Sequence, residues 1–215
     1  NNKNRRNNLL ILCFYFLAAL ALTYPIWSRD GNPFRFDWTW PIFNMREFWP
    51  GFVVKDQVAS GLLSAVSRNT TILFGLPGLF NIPPVWCLKI FIISFHTAAG
   101  YGFYLFIAPR IKNKLIAIVG SLIYAFTPYI FIRTIIGFIF SLLAYAVLPY
   151  FLNLYLAKDK RLWQYIVLGL LLSVIFSQTQ AGVLTLLFVG IYSLVSSIIN
   201  RDIRNQLKNF FFSIF

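Results

Sequence analysis

The sequence predicts an all-α fold: a polytopic helical membrane protein with about six transmembrane helices and a long first outer loop. Of the 215 residues, 59% are hydrophobic and only 12% are charged. A soluble domain contains about 45–50% apolar and about 25% charged residues. A soluble core cannot bury this much apolar surface, so lipid must be the solvent. The apolar residues also form separate segments, and the basic residues cluster between them.

Six apolar segments account for the predicted helices. They comprise residues 9–27, 85–108, 115–132, 138–156, 162–177 and 183–199. A helix needs about 20 apolar residues to cross the hydrocarbon core. The short fifth segment is expected either to tilt little or to begin in the headgroups. We interpret residues 1–215 as a single transmembrane domain and as a fragment of a longer protein.

The basic residues predict the orientation of these helices. Twelve of the 19 lie before the first segment or after the second, fourth and sixth. They are Lys3, Arg5, Arg6, Arg110, Lys112, Lys114, Lys158, Lys160, Arg161, Arg201, Arg204 and Lys208. Because positive charge accumulates on the cytoplasmic side, we expect a multi-pass protein of the cell membrane with a cytoplasmic amino terminus. The net charge of +13 is thereby explained without nucleic acid as a partner.

The first outer loop, residues 28–84, is too long and too aromatic for a simple linker. Within it, apolar residues recur at helical spacing over about 49–67, and Pro50 suits a first helical turn. We predict an amphipathic juxtamembrane helix there, lying on the outer membrane surface.

The start of this loop, residues 28–40, is the densest polar and aromatic stretch. It combines the carboxylates Asp30 and Asp37 with the guanidinium groups of Arg29 and Arg35. Arginine binds phosphate, and a carboxylate can act as general base or hold a metal ion. The segment therefore indicates a site for a phosphorylated or sugar-bearing amphiphile. The alternative is a salt-bridged loop with interfacial tryptophans.

Four polar residues within or between the apolar segments complete the set. Arg133 lies near the outer end of the third segment, where a lipid phosphate is within reach. Gln178 and Gln180 lie in the predicted hairpin between the fifth and sixth segments, on the same side as Asp37. His96 is in mid-segment, and we expect a hydrogen-bonded core histidine rather than a catalytic one. One histidine and no acidic cluster argue against most protein metal sites.

Three motifs resemble a known family. They are Tyr124-Ala125-Phe126-Thr127-Pro128-Tyr129 with Arg133 and Gly137, then Leu142-Leu143-Ala144-Tyr145-Ala146-Val147-Leu148-Pro149, and Ser177-Gln178-Thr179-Gln180. With the preceding outer acidic loop, they resemble the amino-terminal half of GT-C superfamily membrane glycosyltransferases, especially large prokaryotic members of the YfhO type.

This resemblance implies a function. In that superfamily a carboxylate of the first outer loop serves as catalytic base or metal-site residue, and the sugar donor is commonly polyprenyl-phosphate-linked. Asp37 is the best positional match and Asp30 the second. The cofactor is left open, with a divalent cation (Mg²⁺ or Mn²⁺) at these carboxylates as one option. Arg29, Arg35 and Arg133 would contact the donor phosphate, and Gln178 and Gln180 the sugar.

Two other classes of function stay open. A non-catalytic membrane subunit or scaffold would use the outer loop to dock a membrane-protein partner. A transporter is less favoured because buried charge is scarce and the sequence shows no broken-helix repeat. The leading hypothesis is a glycosyltransferase whose partners are membrane lipids and a lipid-linked sugar.

Overall fold

A computed structural model describes residues 2–28, 84–136, 139–157 and 160–200. These residues form α-helices and the turns between them, with no β-strand in these ranges. The helices are α1 (Asn2–Leu22), α2 (Tyr24–Trp27), α3 (Pro84–Ile107), α4 (Lys114–Ala125), α5 (Pro128–Ile136), α6 (Ile139–Tyr155), α7 (Leu162–Phe176) and α8 (Thr179–Asn200). The predicted all-α class is confirmed for this part of the chain.

Within the described ranges, three helical stretches are long and apolar enough to cross a membrane: Leu88–Ile107, Lys114–Ile135 and Thr179–Ser196. Three shorter apolar helical stretches in the same ranges, Arg6–Leu22, Phe140–Tyr155 and Leu162–Phe176, overlap the other predicted segments. Large apolar side chains are exposed on these helices; Leu184, for example, is 67% exposed. Contiguous apolar surface of this kind is stable against lipid rather than water. The helices therefore indicate a membrane protein.

The first predicted segment, 9–27, is interrupted at Thr23, which the sequence did not predict. The Thr23 hydroxyl donates to the Ala19 carbonyl at 2.6 Å, and Pro25 lacks the N–H needed to continue the helix. The indole Nε1 of Trp27 donates back to the Leu20 carbonyl at 2.8 Å. The end of the segment therefore folds as the separate short helix α2.

The third predicted segment is also interrupted. Helix α4 ends at Ala125 and α5 begins at Pro128, with residues 126 and 127 outside both. A residue that precedes proline avoids the helical conformation because the proline ring clashes with it. The Thr127 hydroxyl then accepts from the backbone N–H of Ile130 at 3.3 Å, which caps the start of α5.

Helix α3 is the central helix and packs against α1, α4 and α6. Two of its glycines permit close approach. A Cβ at Gly100 would lie 2.7 Å from Cδ1 of Tyr15, and one at Gly102 would lie 2.7 Å from Cζ of Tyr150. The absence of a side chain at Gly102 lets the Tyr150 hydroxyl reach the Ala98 carbonyl at 2.9 Å. Helices α7 and α8 form a hairpin in which α7 packs against α6.

The bundle has two ends, here named the Arg110 end and the Gln178 end. Arg110 lies in the turn after α3 and donates to the Phe106 carbonyl and, at 3.4 Å, to Asn153 near the end of α6. Lys160 in the turn after α6 donates to the Ala157 carbonyl at 2.7 Å, and partial burial lowers the pKa of its ammonium group. Arg110 and Lys160 thus lie at the same end of the bundle, near the end of α6.

Candidate functional site

A groove of about 400 Å³ lies between α5, α6 and α8 and includes the end of α7. Its polar lining residues are Tyr129, Ser141, Tyr145, Gln178, Gln180 and Thr185. The remainder of the lining is apolar, with Leu148, Leu152, Leu184 and Phe188 as its largest aliphatic and aromatic members along α6 and α8. Two of the predicted site residues, Gln178 and Gln180, therefore lie at one groove.

The tight turn between α7 and α8 positions the two glutamines. The backbone N–H of Gln178 donates to the Ile175 carbonyl at 3.1 Å, and the Gln178 carbonyl accepts from Gly182 at 3.0 Å. A Cβ at Gly182 would lie 2.6 Å from Cδ1 of Phe176, so glycine lets the two helices close here. The turn is shorter than predicted because α8 begins at Thr179, four residues before the predicted sixth segment, and Gln180 lies in its first turn.

Arg133, the third predicted residue in the described part, does not line the groove itself. It lies one helical turn after Tyr129 on α5, with its guanidinium carbon 5.1 Å from the centroid of the Tyr129 ring. This cation–π contact holds the charge against a lining residue. Arg133 is thus adjacent to the groove, on the same helix as one of its walls.

The other predicted site residues lie outside the described residues. Asp30, Asp37, Arg29 and Arg35, together with the predicted surface helix 49–67, belong to residues 29–83. Their roles, and that of a divalent cation at the two carboxylates, stay predictions. In the described ranges no group of three or more His, Cys, Asp or Glu side chains is arranged to hold a metal ion.

Two tyrosines beside the groove cap each other's backbone. Proline has no N–H, so Pro128 and Pro149 remove the helical donors for the carbonyls four residues earlier, those of Tyr124 and Tyr145. The Tyr145 hydroxyl donates to the Tyr124 carbonyl at 2.9 Å, and the Tyr124 hydroxyl donates to the Tyr145 carbonyl at 2.8 Å. The two rings stack with centroids 4.1 Å apart. Each freed carbonyl therefore receives the hydroxyl of the other tyrosine.

Sequence reasoning missed this pair, although a signal was present. Both tyrosines occur in the same local pattern, Tyr-Ala-x-x-Pro, at residues 124–128 and 145–149. The spacing of four residues is that between a helical carbonyl and its donor. Each of two neighbouring apolar segments therefore has a tyrosine four residues before a proline. Each such tyrosine has a carbonyl without a helical donor and a hydroxyl that can donate to the carbonyl of the other. Tyr129, Ser141 and Thr185 were also missed, and no sequence pattern marks them as lining residues.

The groove changes in polarity along its length. The glutamines lie at the Gln178 end. The part of the lining that α6 contributes runs from Ser141 to Leu152, about 16 Å along the helix axis, and it is apolar at the Leu152 end. Of the lining residues on α8, Leu184 is largely exposed and Phe188 about half exposed, so the groove is open on its side. Such a groove fits a ligand with a polar head and an apolar chain that enters sideways from lipid.

Comparison of the chain with protein-family models, curated proteins and solved structures finds no match.

Proposed function

We propose that the protein is a GT-C-like glycosyltransferase that uses a polyprenyl-phosphate-linked sugar donor and transfers the sugar on the outer face of the membrane. The observation that carries the proposal is the groove, with two carboxamides at one end and an apolar channel behind them. A polyprenyl-linked sugar has the same arrangement of polar and apolar parts. Its sugar and phosphate are polar, and a long apolar chain follows them.

The residues around the groove suit the three parts of this donor. The carboxamides of Gln178 and Gln180 can each donate and accept hydrogen bonds, as sugar hydroxyls require. The guanidinium of Arg133, held on the Tyr129 ring, is within one helical turn of the groove and suits a phosphate. Leu148, Leu152 and Phe188 provide the apolar contact for the first isoprene units. In this proposal Asp37, or Asp30 as the second choice, is the catalytic base.

The proposal includes six membrane spans and a cytoplasmic amino terminus. The turn that carries Gln178 and Gln180 is then on the outer side of the membrane. The Arg110 end would be cytoplasmic, in agreement with the positive charge that gathers there.

Labelling with a membrane-impermeant thiol reagent tests this orientation. In a variant without Cys13 and Cys87, a cysteine at Thr179 should react in intact cells. One at Asn113, exposed in the connection after α3, should react only after permeabilisation. The reverse pattern would exclude both the orientation and the proposed side of transfer.

Donor binding tests the groove. In the purified full-length protein, a Gln178→Leu/Gln180→Leu variant should bind a polyprenyl-phosphate-linked sugar about 10-fold more weakly, because two neutral hydrogen bonds contribute about 0.5–1.5 kcal/mol each. Binding of polyprenyl phosphate without sugar should be unchanged. Arg133→Gln should weaken the binding of both ligands, because both carry the phosphate.

A matched control is Thr179→Val, which alters the same turn at a residue that does not line the groove. It should bind both ligands as the wild type does. Equal affinity of the wild type and the double glutamine variant for the sugar-bearing ligand would contradict the proposed donor site. A partner protein bound at the outer loop, with no donor binding, would favour the scaffold.

A further inference from the structure

The guanidinium of Arg110 is held in one orientation at the place where helices α3 and α6 end. Its Nη1 atom donates to the Phe106 carbonyl and, at 3.4 Å, to Oδ1 of Asn153 on α6. The guanidinium carbon also lies 4.2 Å from the centroid of the Phe106 ring, which is a cation–π contact. Contacts to two helices therefore orient a cation that is exposed at the surface.

These contacts leave hydrogen-bond donors on both side chains. The Nε and Nη2 edge of the Arg110 guanidinium has no acceptor among the described residues. Arginine can only donate, so the carboxamide oxygen of Asn153 must face it, and the NH₂ group of the same carboxamide is an adjacent donor. A guanidinium edge binds two oxygens of a phosphate in parallel. The pair therefore offers the donors that a phosphate group requires.

The Arg110–Asn153 pair lies at the level of lipid headgroups. The apolar stretch of α3 ends at Ile107, and that of α6 ends at Tyr155, so both helices leave the hydrocarbon core near this pair. Lys112 and Lys114 are exposed in the same connection. The described ranges contain no Asp or Glu that could neutralise these charges. The positive charge is therefore complementary to an anionic headgroup.

Apolar surface continues directly from this connection. Four exposed residues of α4 follow it at helical spacing, namely Leu115, Ile116, Val119 and Ile123. A Cβ at Gly120 would have no atom within 4 Å, so α4 is also open at this position. A phospholipid with its head at the connection thus has apolar surface of α4 available for its acyl chains.

We propose that the Arg110 end carries a binding site for an anionic phospholipid. The free edge of the Arg110 guanidinium and the carboxamide NH₂ of Asn153 bind the lipid phosphate, and Lys112 and Lys114 attract the anionic headgroup without a fixed contact. The bound lipid links the ends of α3 and α6. The site is at the opposite end of the bundle from the groove glutamines, so it is independent of the proposed glycosyl transfer.

Native mass spectrometry of the full-length protein in detergent tests this site, because it resolves the binding of individual lipid molecules. The wild type should bind the first molecule of phosphatidylglycerol more tightly than the first molecule of zwitterionic phosphatidylcholine. Arg110→Gln should weaken phosphatidylglycerol binding about 10-fold or more, since it removes charge-assisted hydrogen bonds to the phosphate. Arg110→Lys should also weaken it, because lysine keeps the charge but lacks the planar edge.

Lys112→Gln is the matched control, since it removes one charge from the same connection at a residue without the contact to α6. It should weaken phosphatidylglycerol binding by less than about 5-fold, as expected for one nearby charge. Asn153→Leu should weaken it several-fold, because the amide donor and the acceptor that orients Arg110 are both lost. Phosphatidylcholine binding should be unchanged in every variant, which shows that the bundle is folded.

Three outcomes would overturn the proposal. Equal losses for Arg110→Gln and Lys112→Gln, with wild-type binding by Arg110→Lys, would mean that charge alone attracts the lipid. Unchanged binding by both Arg110→Gln and Asn153→Leu would place the lipid elsewhere on the protein. Displacement of phosphatidylglycerol by an equal concentration of inorganic phosphate would assign the site to a soluble anion rather than to a phospholipid.

Discussion

Replacing Tyr124 and Tyr145 together by phenylalanine should lower the free energy of unfolding by about 3 kcal/mol. Each replacement keeps the stacked ring and removes only the hydroxyl that caps the other residue's carbonyl. Because Pro128 and Pro149 supply no N–H, the uncapped carbonyls have no helical donor to return to. Each single variant should lose about 1–2 kcal/mol, measured as unfolding of the purified protein in detergent by increasing denaturant.

The prolines provide a sharper version of the same test. In a Pro149→Ala background, the backbone N–H at residue 149 can donate to the Tyr145 carbonyl. Tyr124→Phe should then cost much less, whereas Tyr145→Phe should keep its full cost, because its target carbonyl lies in the other helix. Equal costs in both backgrounds would show that the tyrosine hydroxyls do not compensate for the prolines.

Tyr192→Phe is the matched control for the chemical change. Tyr192 is 41% exposed on α8 and contacts Phe188 and Tyr155 through its ring. Loss of its hydroxyl should leave the stability within about 0.5 kcal/mol of the wild type, as for surface substitutions generally. A loss as large as that of Tyr124→Phe would mean that the effect reports tyrosine removal in general.

The largest expected effect on activity is that of Asp37→Asn. The variant keeps the shape of the side chain and removes its charge and basicity, and loss of a positioned general base costs about 10²-fold or more in rate. We expect this loss in sugar transfer by full-length protein in liposomes that contain a polyprenyl-linked donor. Donor binding and membrane insertion should change little, because the groove residues are unaltered.

Asp30→Asn is the control that separates the two carboxylates of the outer loop. It should retain activity if Asp37 is the base. Wild-type transfer by the Asp37 variant together with an inactive Asp30 variant would move the role to Asp30. Full activity of both variants would contradict a catalytic role for this loop and would favour the scaffold function.

The sequence by itself determined the class of protein and the bounds of three helices. The second, fourth and fifth predicted segments, 85–108, 138–156 and 162–177, agree with α3, α6 and α7 to within one residue at each end. Apolar runs are local properties of the chain, and their lengths reflect the distance that a helix must cover in lipid. The sequence also singled out Gln178 and Gln180 as candidates, because polar residues in a connection between apolar helices are conspicuous. Both line the groove, and their contact with a sugar stays a prediction.

Only the tertiary structure decided which residues meet. Tyr124 and Tyr145 are 21 residues apart, and His96 and Ala125 are 29 apart, so no local period links them. Their contacts depend on how each helix is rotated about its axis, which close approaches such as that of Gly102 to Tyr150 help to define. The interruption of the third segment leaves carbonyl groups without helical donors. Side chains from two other helices, Tyr145 and His96, bind these carbonyls and offset the cost. In lipid such capping must come from protein, and whether it does is a property of the packed bundle rather than of the broken helix.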